Sequence, residues 1–355
     1  PHDTSSAASD VYKRQNTYHL RLQPGQEIIS KEGGLQNFTH WNGPMMTDSG
    51  GYQIFSLGYG SVSEEIKGKN NNIKRKSLIK INEEGASFRN YINGDKVFLS
   101  PERSIELQRD FGADLIFVLD ECTPFNVSKK YTEKSMYMSH RWAERCKNSF
   151  DSKFRNYEPT FGSSGKQSLY GIIQGGDYED LRKIACEETC SKDFDGLAIG
   201  GSLGSTKNQM YDIFSLCENY LDKSKPIHIL GIGGLDDILH GVSSGYDTFD
   251  CVSPTRIARH GIMMSKMSSK GINLNNSKYK DDHSSLDEDC EIQEINKFSK
   301  SYLHHLFKSN EMLGMIILSI YNIWFMNKFF EEIRKSINEN KFEEYKSSIL
   351  SNLVK

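Results

Sequence analysis

The sequence lacks the features that mark secreted, membrane-spanning or disulfide-linked proteins. Its seven cysteines are odd in number and scattered through 355 residues. No secretory signal pattern precedes them, so we expect reduced thiols in a cytoplasmic protein. No run approaches the roughly 18 apolar residues that cross a bilayer. The most apolar late stretch, residues 312–326, is interrupted by polar residues and predicts a buried helix.

An excess of positive charge is also missing. The net charge is −3, so composition does not indicate a nucleic-acid partner, although a local basic face remains compatible with one. The lysine-rich segment 67–80 is interpreted as a solvated loop. Neither a G-x-G-x-x-G nor a G-x-x-x-x-G-K-[ST] motif follows a first strand, which weakens the case for an open, doubly wound nucleotide-binding sheet.

The first residues are not expected to belong to the fold. Residues 5–15 resemble a translated sequencing adapter, so residues 1–15 are treated as a non-native leader. The alternative is a genuine disordered N-terminus. On the first interpretation, the native start is missing and the chain joins its fold partway through.

Apolar runs alternate with helical patterns along residues 16–270. Four runs predict strands, each ending at polar or glycine residues: 115–119, 169–173, 196–199 and 227–230. Continuous apolar strands are typical of sheets buried on both faces, and strand–helix alternation indicates parallel pairing. The repetition favours a (β/α)₈ TIM barrel over an open, doubly wound sheet. Residues 271–355 predict a C-terminal subdomain with helices.

The segment Asp247–Arg256 is the centre of the functional prediction. A short strand ends at Asp250, and a proline-containing loop with Arg256 and Arg259 follows. Barrel enzymes present catalytic groups at strand ends in this way. A buried carboxylate can attack a sugar carbon, and arginines can hold a phosphate backbone. The alternative is that Asp250 only caps a turn.

The other strand ends add polar groups that would face the same mouth of a barrel. They are Asp48, Asp120, Gln174 and the backbone amides at Gly200 and Gly201. One carboxylate could attack the anomeric carbon and a second could protonate the departing base. The third, beside an amide and backbone donors, could bind a guanine-like edge. Individually, Asp48 could be a turn residue, Asp120 a helix cap and Gln174 a core amide.

These motifs closely resemble the tRNA-guanine transglycosylase (queuine tRNA-ribosyltransferase) family, over about residues 16–337. The segments that carry the resemblance are N-T-Y-H-L (16–20), T-D-S-G-G-Y-Q (47–53), D-E-C-T-P (120–124), G-I-I-Q-G-G (171–176), G-G (200–201) and F-D-C-V-S-P-T-R (249–256). The resemblance implies a TIM barrel that replaces guanine at the tRNA wobble position with a 7-deazaguanine. The D-E-C-T-P form is similar to the bacterial branch, whose incoming base is preQ1.

The resemblance also implies a role for each matching residue. Asp250 would be the nucleophile, forming a covalent link to ribose, and Asp48 the proton acceptor and donor. The residues implied in base binding are Ser49, Gly50, Gly51, Tyr52, Asp120, Gln174 and Gly201. The residues implied in RNA binding are Gly231, Ile232, Gly233, Gly234, Leu235, Asp236, Asp237, Thr255, Arg256, Ile257, Ala258 and Arg259. A homodimer, a cytoplasmic location, no membrane and no organic cofactor are further expectations.

The sequence departs from this family at its structural zinc site. The family holds zinc with C-x-C-x-x-C and a later histidine, and only Cys290 matches. Ile292, Ile295 and Tyr321 occupy the other three positions, and such side chains do not complete a tetrahedral site. We therefore predict no zinc there. A missing start would also remove the opening strands of the barrel and leave an exposed edge.

Two other functional interpretations stay open at this point. The first is a catalytically silent RNA-binding or partner subunit of the same fold, which a degenerate zinc site and a missing start would suit. The second is an unrelated barrel glycosidase. The presence of both Asp48 and Asp250 favours an active base-exchange enzyme over the first. The base-binding residues and the arginine-bearing loop disfavour the second.

Overall fold

A computed structural model describes residues 13–54, 79–90, 92–125, 127–153 and 167–353. They form two compact units. The barrel unit holds the described residues up to 230 together with residues 241–248, and the C-terminal unit holds residues 231–240 and those from 249 onward. The last stretch of the barrel unit ends at residue 248. The boundary at residue 270 stays a prediction.

The barrel unit is built on a parallel sheet. Its strands in chain order are β1 (Lys13–Gln15), β2 (Met45–Thr47), β3 (Lys80–Asn82), β4 (Gly85–Arg89), β5 (Lys96–Leu99), β6 (Leu115–Phe117), β7 (Ser168–Ile173), β8 (Gly196–Ile199), β9 (Ile227–Ile229) and β10 (Thr248–Phe249). All but β3–β5 form one sheet, whose strand order follows the chain order. Pairings from β1 to β9 are parallel. An order without reversal, alternating with helices, is that of a partial TIM barrel and not of a doubly wound sheet.

Helices alternate with these strands, as predicted. They are α1 (Thr17–Leu22), α2 (Gln26–Lys31), α3 (Leu35–Thr39), α4 (Pro101–Phe111), α5 (Lys129–Lys153), α6 (Glu179–Cys190), α7 (Lys207–Glu218) and α8 (Leu235–Ser243). The four apolar runs are confirmed as strands, and β8 and β9 are buried along their whole length. Because both faces of these strands are buried, their residues do not alternate between apolar and polar.

Local sequence signals place α4 and the preceding hairpin. The Ser100 hydroxyl accepts a hydrogen bond from the Arg103 amide at 3.2 Å, and Pro101 opens the helix. Gly112 ends it with a φ of 71°. Strands β4 and β5 pair antiparallel on either side of the turn at Asn93 and Gly94, a dipeptide typical of tight hairpins. Capping and turn chemistry therefore fix these boundaries.

The first strand differs from the sequence-based expectation. Residues 13–15 form β1, and Lys13 pairs with Met45. The carbonyl of Gln15 accepts a hydrogen bond from the amide of Asp48 at 3.0 Å. Strand pairing uses backbone groups, so an adapter-like sequence can join a sheet. The prediction that residues 13–15 lie outside the fold is therefore wrong. Residues 1–12 and the basic segment 67–78 lie outside the described residues.

The C-terminal unit is mainly helical. After β10 it contains α9 (Ser253–Ala258), the antiparallel pair β11 (Ile262–Met263) and β12 (Ile272–Asn273), a 3₁₀ turn (Ser277–Tyr279), α10 (Gln293–Asn296), α11 (Lys300–Lys308), α12 (Met312–Asn338) and α13 (Phe342–Leu353). The buried Asn322 of α12 ties the unit together. It accepts a hydrogen bond from the Met264 amide at 2.9 Å and donates to the carbonyls of Pro254 and Ile262.

Helix α12 has two apolar faces. Among the described residues it is the one helix long and apolar enough to cross a membrane, with a mean hydropathy of 1.3, and 39% of its apolar window is buried. The expectation of a buried helix holds for one face, which carries Tyr321 and Phe325. The opposite face exposes an apolar stripe of Met312, Leu313, Ile316, Ile320 and Ile323.

Candidate active site

Asp48 follows β2 and is held by amide donors from two loops. One carboxylate oxygen accepts hydrogen bonds from the backbone N–H groups of Thr17 at 3.0 Å and Gly50 at 3.1 Å. The other accepts one from the Asn16 side chain at 2.8 Å. Asp48 is only 6% exposed. Hydrogen bonds to a carboxylate are charge-assisted, so this buried group is oriented firmly.

The loop after β2 packs directly on Asp120, which follows β6. The Ser49 hydroxyl lies 3.4 Å from Oδ1 of Asp120. A Cβ atom on Gly51 would stand 2.4 Å from the same oxygen and 2.6 Å from the Asp120 carbonyl oxygen. No side chain fits at position 51 without displacing this backbone, so the close approach explains the glycine there.

Gln174 and Gly201 complete the cluster from the ends of β7 and β8. The Gln174 amide nitrogen donates to Oδ2 of Asp120 at 2.5 Å. Its carbonyl oxygen is buried without a hydrogen-bond partner among the described residues. A Cβ on Gly201, whose φ is 74°, would stand 2.3 Å from that oxygen. The structure thus brings Asp120, Gln174 and Gly201 together in the barrel unit, as the sequence predicts.

Gly50 and Tyr52 are the other two residues of this loop whose positions bear on the predicted base site. Gly50 adopts a φ of 89°, which places its amide on Asp48. Tyr52 lies on the helical turn at residues 51–54 and is 43% exposed. This surface position gives its ring access to a ligand.

Asp250 lies in the C-terminal unit, directly after β10. Its Oδ1 atom accepts a hydrogen bond from the Gly231 amide at 2.9 Å. A Cβ on Gly233 would stand 2.3 Å from Cβ of Cys251. The predicted RNA-binding loop 231–234 is therefore packed against the segment that carries Asp250 and Cys251, and glycine is required at position 233 for that approach.

The residues predicted to bind RNA differ in their exposure to solvent. Arg256 and Arg259 are exposed, on α9 and just after it, so both can meet phosphates. Leu235 and Ala258 are buried, and their side chains serve packing. The remaining predicted residues are partly exposed. Ile232 and Gly234 lie in the loop before α8, Asp236 and Asp237 in the first turn of α8, and Thr255 and Ile257 on α9.

Two residues without a sequence-predicted role support the loop after β2. Asn16 binds the Asp48 carboxylate, and the fully buried Ser104 donates its hydroxyl to the Ser49 carbonyl at 2.7 Å. Asn16 belongs to the N-T-Y-H-L motif (16–20), which carries the family resemblance but has no predicted role in the site. Ser104 and Gln108 are polar residues four apart on a buried helix face, and that spacing was the available signal.

The four positions that align with the zinc ligands of the family do not fit the metal. Cys290 and Ile295 are buried, and burial raises the pKa of the Cys290 thiol. The Tyr321 hydroxyl donates to Asp287 at 2.7 Å, and burial followed by that hydrogen bond raises the pKa of the phenol well above its ordinary range. Among the described residues, no group of three His, Cys, Asp or Glu side chains could hold a metal.

Comparisons with known proteins identify the family of the chain. The family model described as "Queuine tRNA-ribosyltransferase" matches residues 12–355. Relatives named queuine tRNA-ribosyltransferase occur in several bacteria. That of Roseiflexus sp. (strain RS-1) is 40% identical over 338 residues, covering 94% of this chain and 84% of the relative. That of Thermoanaerobacter sp. (strain X514) is 43% identical over 333 residues, covering 93% and 80%.

Proposed function

This chain belongs to the queuine tRNA-ribosyltransferase family, and from that premise we propose that it is a glycosyltransferase that exchanges guanine in tRNA during queuosine biosynthesis. The observation that carries the proposal is the family match over residues 12–355. A silent RNA-binding or partner subunit is not favoured, because both carboxylates of the reaction, Asp48 and Asp250, are present. Family membership also argues against an unrelated barrel glycosidase.

We propose that Asp250 and Asp48 perform the two displacements. The Asp250 carboxylate attacks C1′ of the ribose, the C–N bond to guanine breaks, and its electron pair leaves with the base. Asp48, in its protonated form, gives its proton to the departing guanine and, then ionised, takes one from the incoming base. The incoming base then displaces Asp250 at C1′. Two displacements at one carbon give net retention of configuration.

We propose that the base binds by replacing the hydrogen bond between Asp120 and Gln174. Asp120 would then accept N–H groups of the base, while the Gln174 amide and the Gly201 N–H would meet its carbonyl oxygen. Ser49, Gly50, Gly51 and Tyr52 would line the pocket. The close packing of Gly51 on Asp120 and of Gly201 on Gln174 supports this arrangement.

The guanine at the wobble position of the anticodon is proposed as the site of exchange, and preQ1 as the natural incoming base. The exposed Arg256 and Arg259 would hold the tRNA backbone. A cytoplasmic location follows from the tRNA substrate. The test is incorporation of labelled guanine into a tRNA with guanine at the wobble position, compared with the same tRNA carrying adenine there. Absence of label from both tRNAs would contradict the proposed function.

We propose that the C-terminal unit needs no zinc, because the bond from Tyr321 to Asp287 connects α12 to the loop before α10. We expect metal analysis of the purified chain to find far less than one zinc per chain. Tyr321→Phe should lower the free energy of unfolding in urea by about 1 kcal/mol, the contribution of one hydrogen bond.

The matched control for this prediction is Tyr302→Phe, since Tyr302 is 38% exposed. It should leave the unfolding free energy unchanged within error. One zinc per chain, or equal stability of the Tyr321→Phe and wild-type chains, would contradict the prediction.

A homodimer is proposed from the apolar stripe on α12. The stripe exposes five apolar side chains on one helix face, and contiguous apolar patches mark interfaces. The buried Asn322 bonds to three backbone groups of the same unit, which argues against α12 crossing a membrane. Ile316→Glu should raise the dimer dissociation constant at least about tenfold in light scattering, because a charge would enter the interface.

Lys335→Glu is the control, because Lys335 is exposed on the same helix outside the stripe. It should leave the dissociation constant unchanged. A monomeric wild-type chain would contradict the homodimer, and binding of the wild-type chain to phospholipid vesicles, lost in Ile316→Glu, would assign the stripe to a membrane surface instead.

A further inference from the structure

Arg182 is a buried cation without a role in the chemistry described above. It lies in the first turn of α6 and is 0% exposed. Within the described part of the chain, no carboxylate forms an ion pair with it. Burying a guanidinium is costly unless its N–H groups are satisfied. The partners it has therefore indicate what it is for.

Those partners are three backbone carbonyls at the ends of two neighbouring strands. Nε donates to Gly176 at 2.6 Å and Nη1 to Ile173 at 3.1 Å, on either side of Gln174. Nη2 donates to Ser202 at 2.9 Å, directly after Gly201. One rigid planar group therefore bridges the loop after β7 and the loop after β8.

This bridge, together with the hydrogen bond from the Gly200 amide to the Ile173 carbonyl at 3.0 Å, connects the two loops that carry Gln174 and Gly201. The Gln174 carbonyl oxygen stands so close to Gly201 that a Cβ there would be 2.3 Å away. Arg182 itself approaches both loops, since a Cβ on Gly175 would lie 2.9 Å from its amide nitrogen and one on Gly201 3.8 Å from Nη2. A small relative movement of the loops would change the distance between the Gln174 amide and the Gly201 N–H.

We propose that Arg182 is a positioning residue that holds the Gln174 amide and the Gly201 N–H at the spacing needed to bind the 6-oxo group of the base. The inference rests on the proposed function, which assigns those two donors to the base carbonyl. It goes beyond that function by making base specificity depend on a side chain that does not touch the base. Lysine keeps the charge but cannot replace three donors in a fixed plane.

The experiment compares Arg182→Lys and Arg182→Met with the wild-type chain and with Arg145→Met. Arg145 also donates to backbone carbonyls, those of Glu83 and Glu84, but it lies outside the base cluster. Guanine binding is measured by calorimetry, guanine and tRNA KM by incorporation, and stability by thermal unfolding. 2-Aminopurine, which lacks the 6-oxo group, serves as a competing base.

Both Arg182 variants should weaken guanine binding and raise the guanine KM about tenfold or more, with the tRNA KM changed less than about twofold, because misplacement of binding groups acts on the ligand they hold. Their preference for guanine over 2-aminopurine should fall by a similar factor. Arg145→Met should lower the melting temperature and leave guanine binding and this preference unchanged.

Several results would overturn the inference. One is wild-type guanine binding and base preference in folded Arg182→Lys. Another is failure of both Arg182 variants to fold, which would make the residue purely structural. A wild-type chain that binds guanine but incorporates none would refute the proposed function, while the calorimetric comparison would still decide the role of Arg182. A wild-type chain that does not bind guanine would refute both.

Discussion

Asp250→Asn should reduce guanine incorporation into tRNA at least about 10³-fold, because an amide oxygen is a poor nucleophile and no covalent intermediate can form. The substitution preserves the size of the side chain and an acceptor for the Gly231 amide, so the fold should be retained. The wild-type chain incubated with labelled tRNA should give an adduct that survives denaturing electrophoresis. The variant should give none while still binding tRNA.

Asp247→Asn is the matched control, three residues earlier. Oδ2 of Asp247 accepts the Ile227 amide at 2.8 Å, which is a structural contact in the barrel unit. Its activity should stay within about twofold of wild type, as expected for substitutions away from the chemistry. Equal activity of Asp250→Asn and wild type, or an adduct in both, would remove Asp250 from the role of nucleophile.

Asp120→Asn should raise the KM for guanine about 10²-fold, because it replaces an acceptor of base N–H groups with a group that also donates. In the structure Asp120 accepts hydrogen bonds from the side chains of Gln174 and Ser49. These two donors, like the N–H groups of the base, need an acceptor at this position. The effect should fall on the base, so the KM for tRNA should change little. Steady-state incorporation at varied guanine and varied tRNA separates the two constants.

Asp114→Asn controls for the loss of a buried carboxylate. Asp114 is 5% exposed, and it accepts hydrogen bonds from the Gln36 side chain and the Met45 amide. Its replacement should lower the melting temperature without changing the guanine KM. If Asp120→Asn also lowered only stability, Asp120 would be a structural carboxylate and the proposed base site would be wrong.

Much of the barrel unit could be predicted from local sequence. Strands such as β8 are buried on both faces, so their apolar runs identify them without any knowledge of neighbours. Ser100, Pro101 and Gly112 mark the ends of α4 because capping depends on the residues at the helix ends themselves. Parallel strands align their C-terminal ends, and this geometry made Asp48, Asp120 and Gln174 candidates for one site.

Other features depend on contacts between segments far apart in the chain, and only the tertiary structure decided them. Pairing of residues 13–15 with β2 uses backbone groups, which leave no mark on side-chain composition. The hydrogen bond from Tyr321 to Asp287 joins residues 34 positions apart.

The sequence by itself determined the family, the ends of the strands and the types of residue expected at the site, because each of these depends on local patterns of residues. The role of Arg182 and the exposed stripe on α12 were set by tertiary packing. An arginine on a helix is ordinarily a solvated charge, and its burial against two loops depends on how those loops meet. In the same way, an apolar helix carries no sign of which face its neighbours will leave uncovered.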